Sequence, residues 1–281
     1  MNNIPKVAHF YWGGVNFPYL RYKSLCSFGA FNPTWKIKLY VPVKLNISVP
    51  WKDEVNKVPI HTKDYMEETS RNTNIEIIPF DMKNIGFSNN LPEIIKSDII
   101  RTYLLYNEGG LWSDSDILYF KPLTDVFENN DDKTAYFCCR YDAPSQTVAR
   151  DAGWDPYHSI GLLMGAKDNT WFKLLFDSIQ KNLNVKEYQS VGSLLYTKKI
   201  DMNSPDIYNI KMETVYPSRH PEYMFSKLAS EMTPEEKPWT IGWHWYCGLK
   251  ECGEYQNIYT EHTYKKYDNI ITHLLNIINE R

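Results

Sequence analysis

The chain has 281 residues, 43% of them hydrophobic, and a formal net charge of −3. That length and apolar fraction suit one large domain, residues 1–281, with a substantial core. The near-neutral charge lacks the basic field that nucleic acid would require. With no charged-then-apolar leader and no apolar run long enough to span a bilayer, a cytoplasmic protein without a transmembrane segment is expected.

In chain order, Val7–Trp12 reads as a first strand and Tyr19–Phe31 as a helix that stops at Asn32-Pro33. Trp35–Val41 alternates apolar and polar residues, as a second strand does. A Pro-punctuated loop follows over 42–60, then a third strand, Ile75–Phe80. Pro92–Tyr106 carries Ile95, Ile99, Tyr103 and Tyr106 at helical spacing, and Gly109-Gly110 ends that helix. An apolar run, Ile117–Phe120, comes next. Ala135–Arg140 and Ser159–Ala166 read as further strands, and the Asp-, Gly- and Pro-rich stretch 142–157 between them as a surface loop that could line a site. Asn169–Asn182 is an amphipathic helix with Trp171, Leu174, Leu175 and Ile179 on one face. Residues 201–238 read as a long, partly irregular loop or lid, and Tyr264–Ile278 as a terminal helix. Alternating strands and helices predict an α/β fold around a mostly parallel central sheet.

Asp114-Ser115-Asp116 lies between the Gly-Gly turn and the apolar run. On an extended segment, carboxylates two residues apart point to one side, with Cα atoms roughly 6.5–7 Å apart. Carboxylate oxygens suit a hard divalent cation, Mn²⁺ or Mg²⁺, which commonly binds through one or two such groups plus substrate phosphates. The same residues could also be solvated turn carboxylates. In the preceding helix, Asp98 and Arg101 are three apart and share a face, either as a structural ion pair or as a polar pair aimed into a cleft.

Lys96-Ser-Asp98-Ile-Ile-Arg101-Thr-Tyr-Leu-Leu-Tyr106-Asn-Glu-Gly109-Gly110-Leu-Trp-Ser-Asp114-Ser-Asp116 resembles the core signature of the DXD sugar-transferase superfamily. That group includes yeast initiating mannosyltransferases, bacterial capsule and lipooligosaccharide transferases, and the glucosylating domain of large clostridial toxins. Ser97, Thr102 and Trp112 depart conservatively from the pattern. Ile4-Pro5-Lys6-Val7-Ala8-His9-Phe10-Tyr11-Trp12-Gly13-Gly14 is similar to the group's opening strand, and Gly242-Trp243-His244-Trp245 to its closing element.

The resemblance implies a GT-A nucleotide-binding sandwich, with 1–125 mainly donor-binding and 126–281 mainly acceptor-binding and closing. It implies a metal-dependent glycosyltransferase that uses a nucleotide-sugar, UDP-linked ahead of GDP-linked, and transfers to a glycan, glycolipid or glycoprotein hydroxyl with retention. Trp12 would stack on the base, unless it simply packs the core. Asp98 and Arg101 would bind the donor sugar. Asp114 and Ser115 would contact the donor, Asp116 would ligate the metal, and Asp114 and His244 would complete its site; His244 could equally be a structural, hydrogen-bonded residue. Asp98, Arg101 and Asp116 are the catalytic candidates. An inverting route would instead need a general base, for which Asp142, Asp151, Asp155 and His158 are candidates.

Two other functions remain open at this point: an aspartate-nucleophile phosphatase and a degenerate carbohydrate-binding module. The phosphatase motif normally opens its chain, and it leaves the Asp98/Arg101 helix unexplained. Of the five cysteines, Cys26, Cys138, Cys139, Cys247 and Cys252, the adjacent Cys138 and Cys139 read as reduced thiols in a buried strand, and Cys247 and Cys252 have no second Cys or His pair suitable for zinc.

Overall fold

The computed structural model describes residues 3–46, 63–127, 132–139, 158–218, 220, 222–247, 250–253 and 255–281. The sheet starts from its middle. β1 (Val7–Tyr11), β2 (Lys36–Pro42) and β3 (Ile75–Phe80) are laid down outward and parallel, with Val7 opposite Lys36 and Ile37 opposite Ile75. α1 (Tyr19–Phe31) links the first two, and α2 (Met66–Arg71) precedes the third. α3 (Glu93–Asn107) then carries the chain back across β1, so that β4 (Gly110–Ser113) pairs with the free side of β1. This reversal creates a crevice beyond the carboxyl ends of β1 and β4, the usual ligand position in such sheets. The D-x-D lies at that end of β4.

The reversal depends on Gly109 and Gly110, with φ of 69° and 97°. A Cβ at Gly110 would lie 2.4 Å from the Val7 carbonyl oxygen, and one at Gly109 2.5 Å from the Lys167 nitrogen. Only glycine tolerates both the left-handed backbone and this close approach. His9 of the opening motif braces the same turn, its Nε2 2.8 Å from the Gly109 carbonyl oxygen.

β6 (Ala135–Cys139), β7 (His158–Gly165) and β8 (Ile207–Asn209) complete the order β3-β2-β1-β4-β7-β6-β8. Six strands run one way, and β7 is antiparallel to both its neighbours. The expected α/β fold with a mostly parallel sheet is therefore what the structure has. A second, two-stranded sheet pairs β5 (Ile117–Tyr119) with β9 (Gly242–His244), Ile117 opposite His244.

One core layer holds Phe10, Phe28, Leu39, Leu111 and Leu162. The opposite layer holds Ile99, Leu104, Leu163, Phe172 and Leu195, from α3, β7, α4 (Thr170–Asn182) and α5 (Ser193–Lys199). A third cluster joins Leu118, Trp243 and Trp245 to Leu274 and Leu275 of α6 (Ile270–Asn279).

Four expectations are corrected. Asp114–Asp116 is a turn, not an extended segment, and the apolar run after it leaves the main sheet to pair with β9. On α4 the buried stripe is Phe172, Leu175 and Ile179, whereas Leu174 is 41% exposed; the face packed on α3 is set by the neighbour, not by helical spacing alone. The stretch 201–238 contributes β8 to the sheet edge and several short 3₁₀ turns. The terminal helix starts at Ile270, where the Asn269 side chain caps it by accepting from the Thr272 N–H. The 42–60 and 142–157 loops lie largely or wholly outside the described residues. No helix among those described is long and apolar enough to cross a membrane.

Candidate active site

The turn after β4 points Asp114 and Asp116 at the end of β9. His244 Nε2 lies 3.3 Å from Asp116 Oδ1 and 3.6 Å from Asp114 Oδ2. One ligand atom from each of the three falls within 4.8 Å of the others. His244 is 5% exposed and Asp116 8%, and His244 Nε2 has no well-directed hydrogen bond. Protonated, that nitrogen is ion-paired with the two carboxylates; without its proton it is a buried acceptor facing two anions, which is costly unless a cation satisfies all three. Two carboxylate oxygens and an imidazole nitrogen form a donor set that suits Mn²⁺, so the residues present fit a divalent ion.

Asp116 is held from the far side. Its Oδ2 accepts from the Cys247 N–H at 2.8 Å, and its carbonyl oxygen from the Trp245 N–H at 3.1 Å. Burial would raise its pKa, but His244, Arg21 and the Cys247 N–H together hold it well below the usual carboxylate range. Burial would lower the pKa of His244, but Asp116 and Asp114 outweigh it and lift the ring to about 9. The Tyr246 N–H, 3.2 Å from Nδ1, opposes a second ring proton; the two carboxylates are the stronger influence.

Behind the turn sits a buried charge cluster. Arg101, on α3, lies 3.1 Å from Asp98 Oδ1 and 3.5 Å from Asp114 Oδ1. Its guanidinium also donates to the Ile160 carbonyl oxygen and stacks over Trp112, 4.8 Å from the ring centroid. The Trp112 Nε1–H donates to Asp114 Oδ1 at 2.9 Å. Asp98 keeps a buried Oδ2 with no hydrogen-bond partner; burial raises its pKa to about 6, against the pull of Arg101. Asp114 is lowered, because Arg101 and His244 outweigh its burial. Asp98, Arg101, Asp114, Asp116 and His244, separated in sequence, thus form one cluster.

Ser115 and Trp12 stand at its edge, joined by Arg21 of α1. Arg21 donates to Ser115 Oγ at 2.7 Å and lies over the Trp12 ring at 4.6 Å. Trp12 is 7% exposed, meets Phe17 edge-on, and has Gly14 pressed on its benzo ring. A base stacking on the Arg21 face of Trp12 would have to displace that guanidinium. His158 is 1% exposed, with Nδ1 3.3 Å from Thr197 Oγ1 and Nε2 unpartnered. Asp142, Asp151 and Asp155 lie outside the described residues. Among the described residues, Cys26, Cys138, Cys247 and Cys252 form no disulfide.

Several neighbours carried no mark in the sequence. A Cβ at Gly161 would lie 2.9 Å from Tyr216 Oη, 3.1 Å from Asp114 Oδ2 and 3.2 Å from His244 Cδ2; one at Gly192 would lie 2.4 Å from Asp98 Oδ2. Gly161 falls where β7 bulges: Tyr136 pairs with Met164 but Cys138 with Ser159. The Ile160 carbonyl oxygen reaches Arg101 there, and on the other side of β7 the regular pairing with β4 continues past Ser113–Leu162, bringing the Gly161 carbonyl oxygen to the Asp114 N–H at 2.8 Å. A glycine inside an otherwise apolar strand was the available signal for such close approach. Arg21, one of two cations on α1 beside Lys23, carried no such signal.

The family model for capsular polysaccharide synthesis proteins matches residues 63–233. The chain belongs to that family. The match contains Asp98, Arg101, Asp114 and Asp116, and ends before His244. The resemblance to sugar transferases, among them capsule enzymes, thus holds at the level of the family. No curated protein matches the chain. Among solved structures, the galactosyltransferase LgtC, in complex with donor and acceptor sugar analogues, is 16% identical, with 98% of this chain and 95% of that one covered and a TM-score of 0.48. GlyE, a glycosyltransferase of Streptococcus pneumoniae TIGR4, is 12% identical over 99% of this chain and 63% of its own, TM-score 0.48. The PaToxG glycosyltransferase is 17% identical over 70% of this chain and 68% of its own, TM-score 0.45.

Proposed function

We propose that this protein is a metal-dependent glycosyltransferase. It would move a sugar from a nucleotide-sugar, UDP-linked ahead of GDP-linked, to a hydroxyl of a glycan, glycolipid or glycoprotein acceptor. The observation that carries this is the convergence of Asp114, Asp116 and His244 Nε2, which faces both carboxylates, beside the buried Asp98–Arg101 pair. Family membership supports sugar transfer; the resemblance to mostly retaining enzymes favours retention.

Asp114, Asp116 and His244 would hold Mn²⁺ or Mg²⁺, which would offset the negative charge that builds on a departing diphosphate. Three carboxylates here face two guanidiniums, so once His244 releases its proton the cluster is net negative and attracts a cation. Arg101 keeps Asp114 ionised and fixes its side chain. Asp98, with one oxygen free to accept a hydrogen bond, would orient a donor hydroxyl. Arg21 adds a cation beside Ser115, where diphosphate oxygens would gain from it. Water-excluding walls come from Trp112, Ile160 and Tyr216.

Thermal shift against a nucleotide-sugar panel, with and without Mn²⁺, tests this. Stabilisation should follow RT ln(1 + [L]/Kd) for one donor and should require the ion. No shift with any donor, at concentrations far above a plausible Kd, would instead favour a carbohydrate-binding module or a phosphatase.

Metal uptake should also depend on pH. A ligand nitrogen must be unprotonated, and the carboxylates hold the His244 pKa up at about 9. Below that value proton and metal compete. The apparent Mn²⁺ Kd should therefore weaken about tenfold for each pH unit from 8.5 down to 6.5, with close to one proton released at pH 7. Calorimetry in two buffers of different ionisation enthalpy measures the proton. A flat Kd with no release would mean that His244 is not a ligand.

A further inference from the structure

The segment 244–247 forms a hook around Asp116. The Trp245 N–H takes the Asp116 carbonyl oxygen, the Cys247 N–H takes Oδ2, and His244 Nε2 approaches Oδ1. Between these contacts Tyr246 sits at φ 49°, in the left-handed region. Bulky side chains rarely adopt it, and such strain persists only where the surroundings impose it. Here they do. The Tyr246 ring meets the His244 ring edge-on, centroids 4.2 Å apart, and stacks on Tyr216 at 5.3 Å and 23°. Tyr216 also lies 5.2 Å from His244 and is anchored through its hydroxyl to Ser159 Oγ. The Tyr246 N–H itself faces His244 Nδ1. With an ordinary negative φ the 246–247 peptide would turn, and the Cys247 N–H would leave Asp116.

We propose that Tyr246 is a positioning residue: its left-handed backbone, clamped by the rings of Tyr216 and His244, sets Asp116 and His244 at the spacing that a divalent cation requires. This rests on the metal-dependent reading above. Tyr246 acts through its neighbours and is assigned no contact with substrate.

The test is binding of Mn²⁺ alone, followed by the electron paramagnetic resonance of the free ion, with no donor present. Tyr246→Gly and Tyr246→Asn accept the left-handed backbone; Tyr246→Val and Tyr246→Ala do not accept it readily. Circular dichroism confirms that each variant is folded, and the alanine variant covers the case in which the valine variant is not. Val and Ala should weaken Mn²⁺ binding at least about tenfold, the scale of losing support behind a metal ligand. Gly and Asn should stay within about threefold of the parent protein. In turnover assays the Val and Ala defects should shrink as Mn²⁺ is raised to saturation, which a general folding defect would not do. Parent-like affinity in Val and Ala, or an equal loss in Gly, would overturn the proposal while leaving the metal site standing. Absence of Mn²⁺ binding by the parent protein would overturn both.

Discussion

Asp116→Asn is expected to cost at least about a hundredfold in kcat/KM, equivalent to ~2.7 kcal/mol of transition-state stabilisation, and to abolish the response to Mn²⁺. The substitution keeps the shape of the side chain. An amide oxygen can still accept from the Cys247 N–H, and the Trp245 contact is to the main chain. The fold should therefore survive, with a melting temperature in metal-free buffer within about 5 °C of the parent. What is lost is one charged ligand and the charge that holds His244 protonated at neutral pH. Near-parent activity would remove Asp116 from the site. Loss of activity together with loss of folding would leave the result uninformative for chemistry, so the melting curve belongs to the measurement.

Arg101→Leu should have the largest effect on stability. The guanidinium is 3% exposed and lies between Asp98 and Asp114. Removing it leaves two carboxylates without their shared cation, at a cost of about 3–5 kcal/mol. The cost should depend on pH, with a definite sign. Asp98 already has a folded-state pKa raised to about 6, so its contribution is greatest in acid and falls as pH rises through 6. Asp114 is lowered in the parent, chiefly by Arg101 against its burial; its contribution is present at neutral pH and lost in acid. Without Arg101 both carboxyls shift upward and are more easily protonated. The deficit should thus be largest near pH 8 and narrow toward pH 5. Urea unfolding at these two pH values measures it. A deficit under about 1 kcal/mol, or one independent of pH, would mean that Ile160, Trp112 and solvent carry the burden instead.

Local elements were legible because their causes are local. Tyr19–Phe31 and Ile75–Phe80 match their expected bounds, since helix stop signals and apolar patterning act over a few residues. The Gly109-Gly110 break was equally plain. Where a neighbour decides, the pattern misled: Leu174 has helical spacing yet faces solvent, because α3 contacts α4 one residue around. The sequence singled out the D-x-D but not its backbone; a strand was expected where the chain turns to join β9. His244 entered only through a family resemblance, since nothing in its immediate surroundings shows that Ile117 is its partner across a sheet.

By itself, then, the sequence determined the helix that carries Asp98 and Arg101, the glycine turn after it, and the pair of carboxylates that follows. The tertiary structure alone decided that β9 returns to them, that β7 pairs with β4 and lays Gly161 beside Asp114, and that Arg21 bridges Trp12 to Ser115. Propensity and pattern are short-range properties of a chain. A site drawn from four distant segments exists only once burial of the core has fixed where each strand ends.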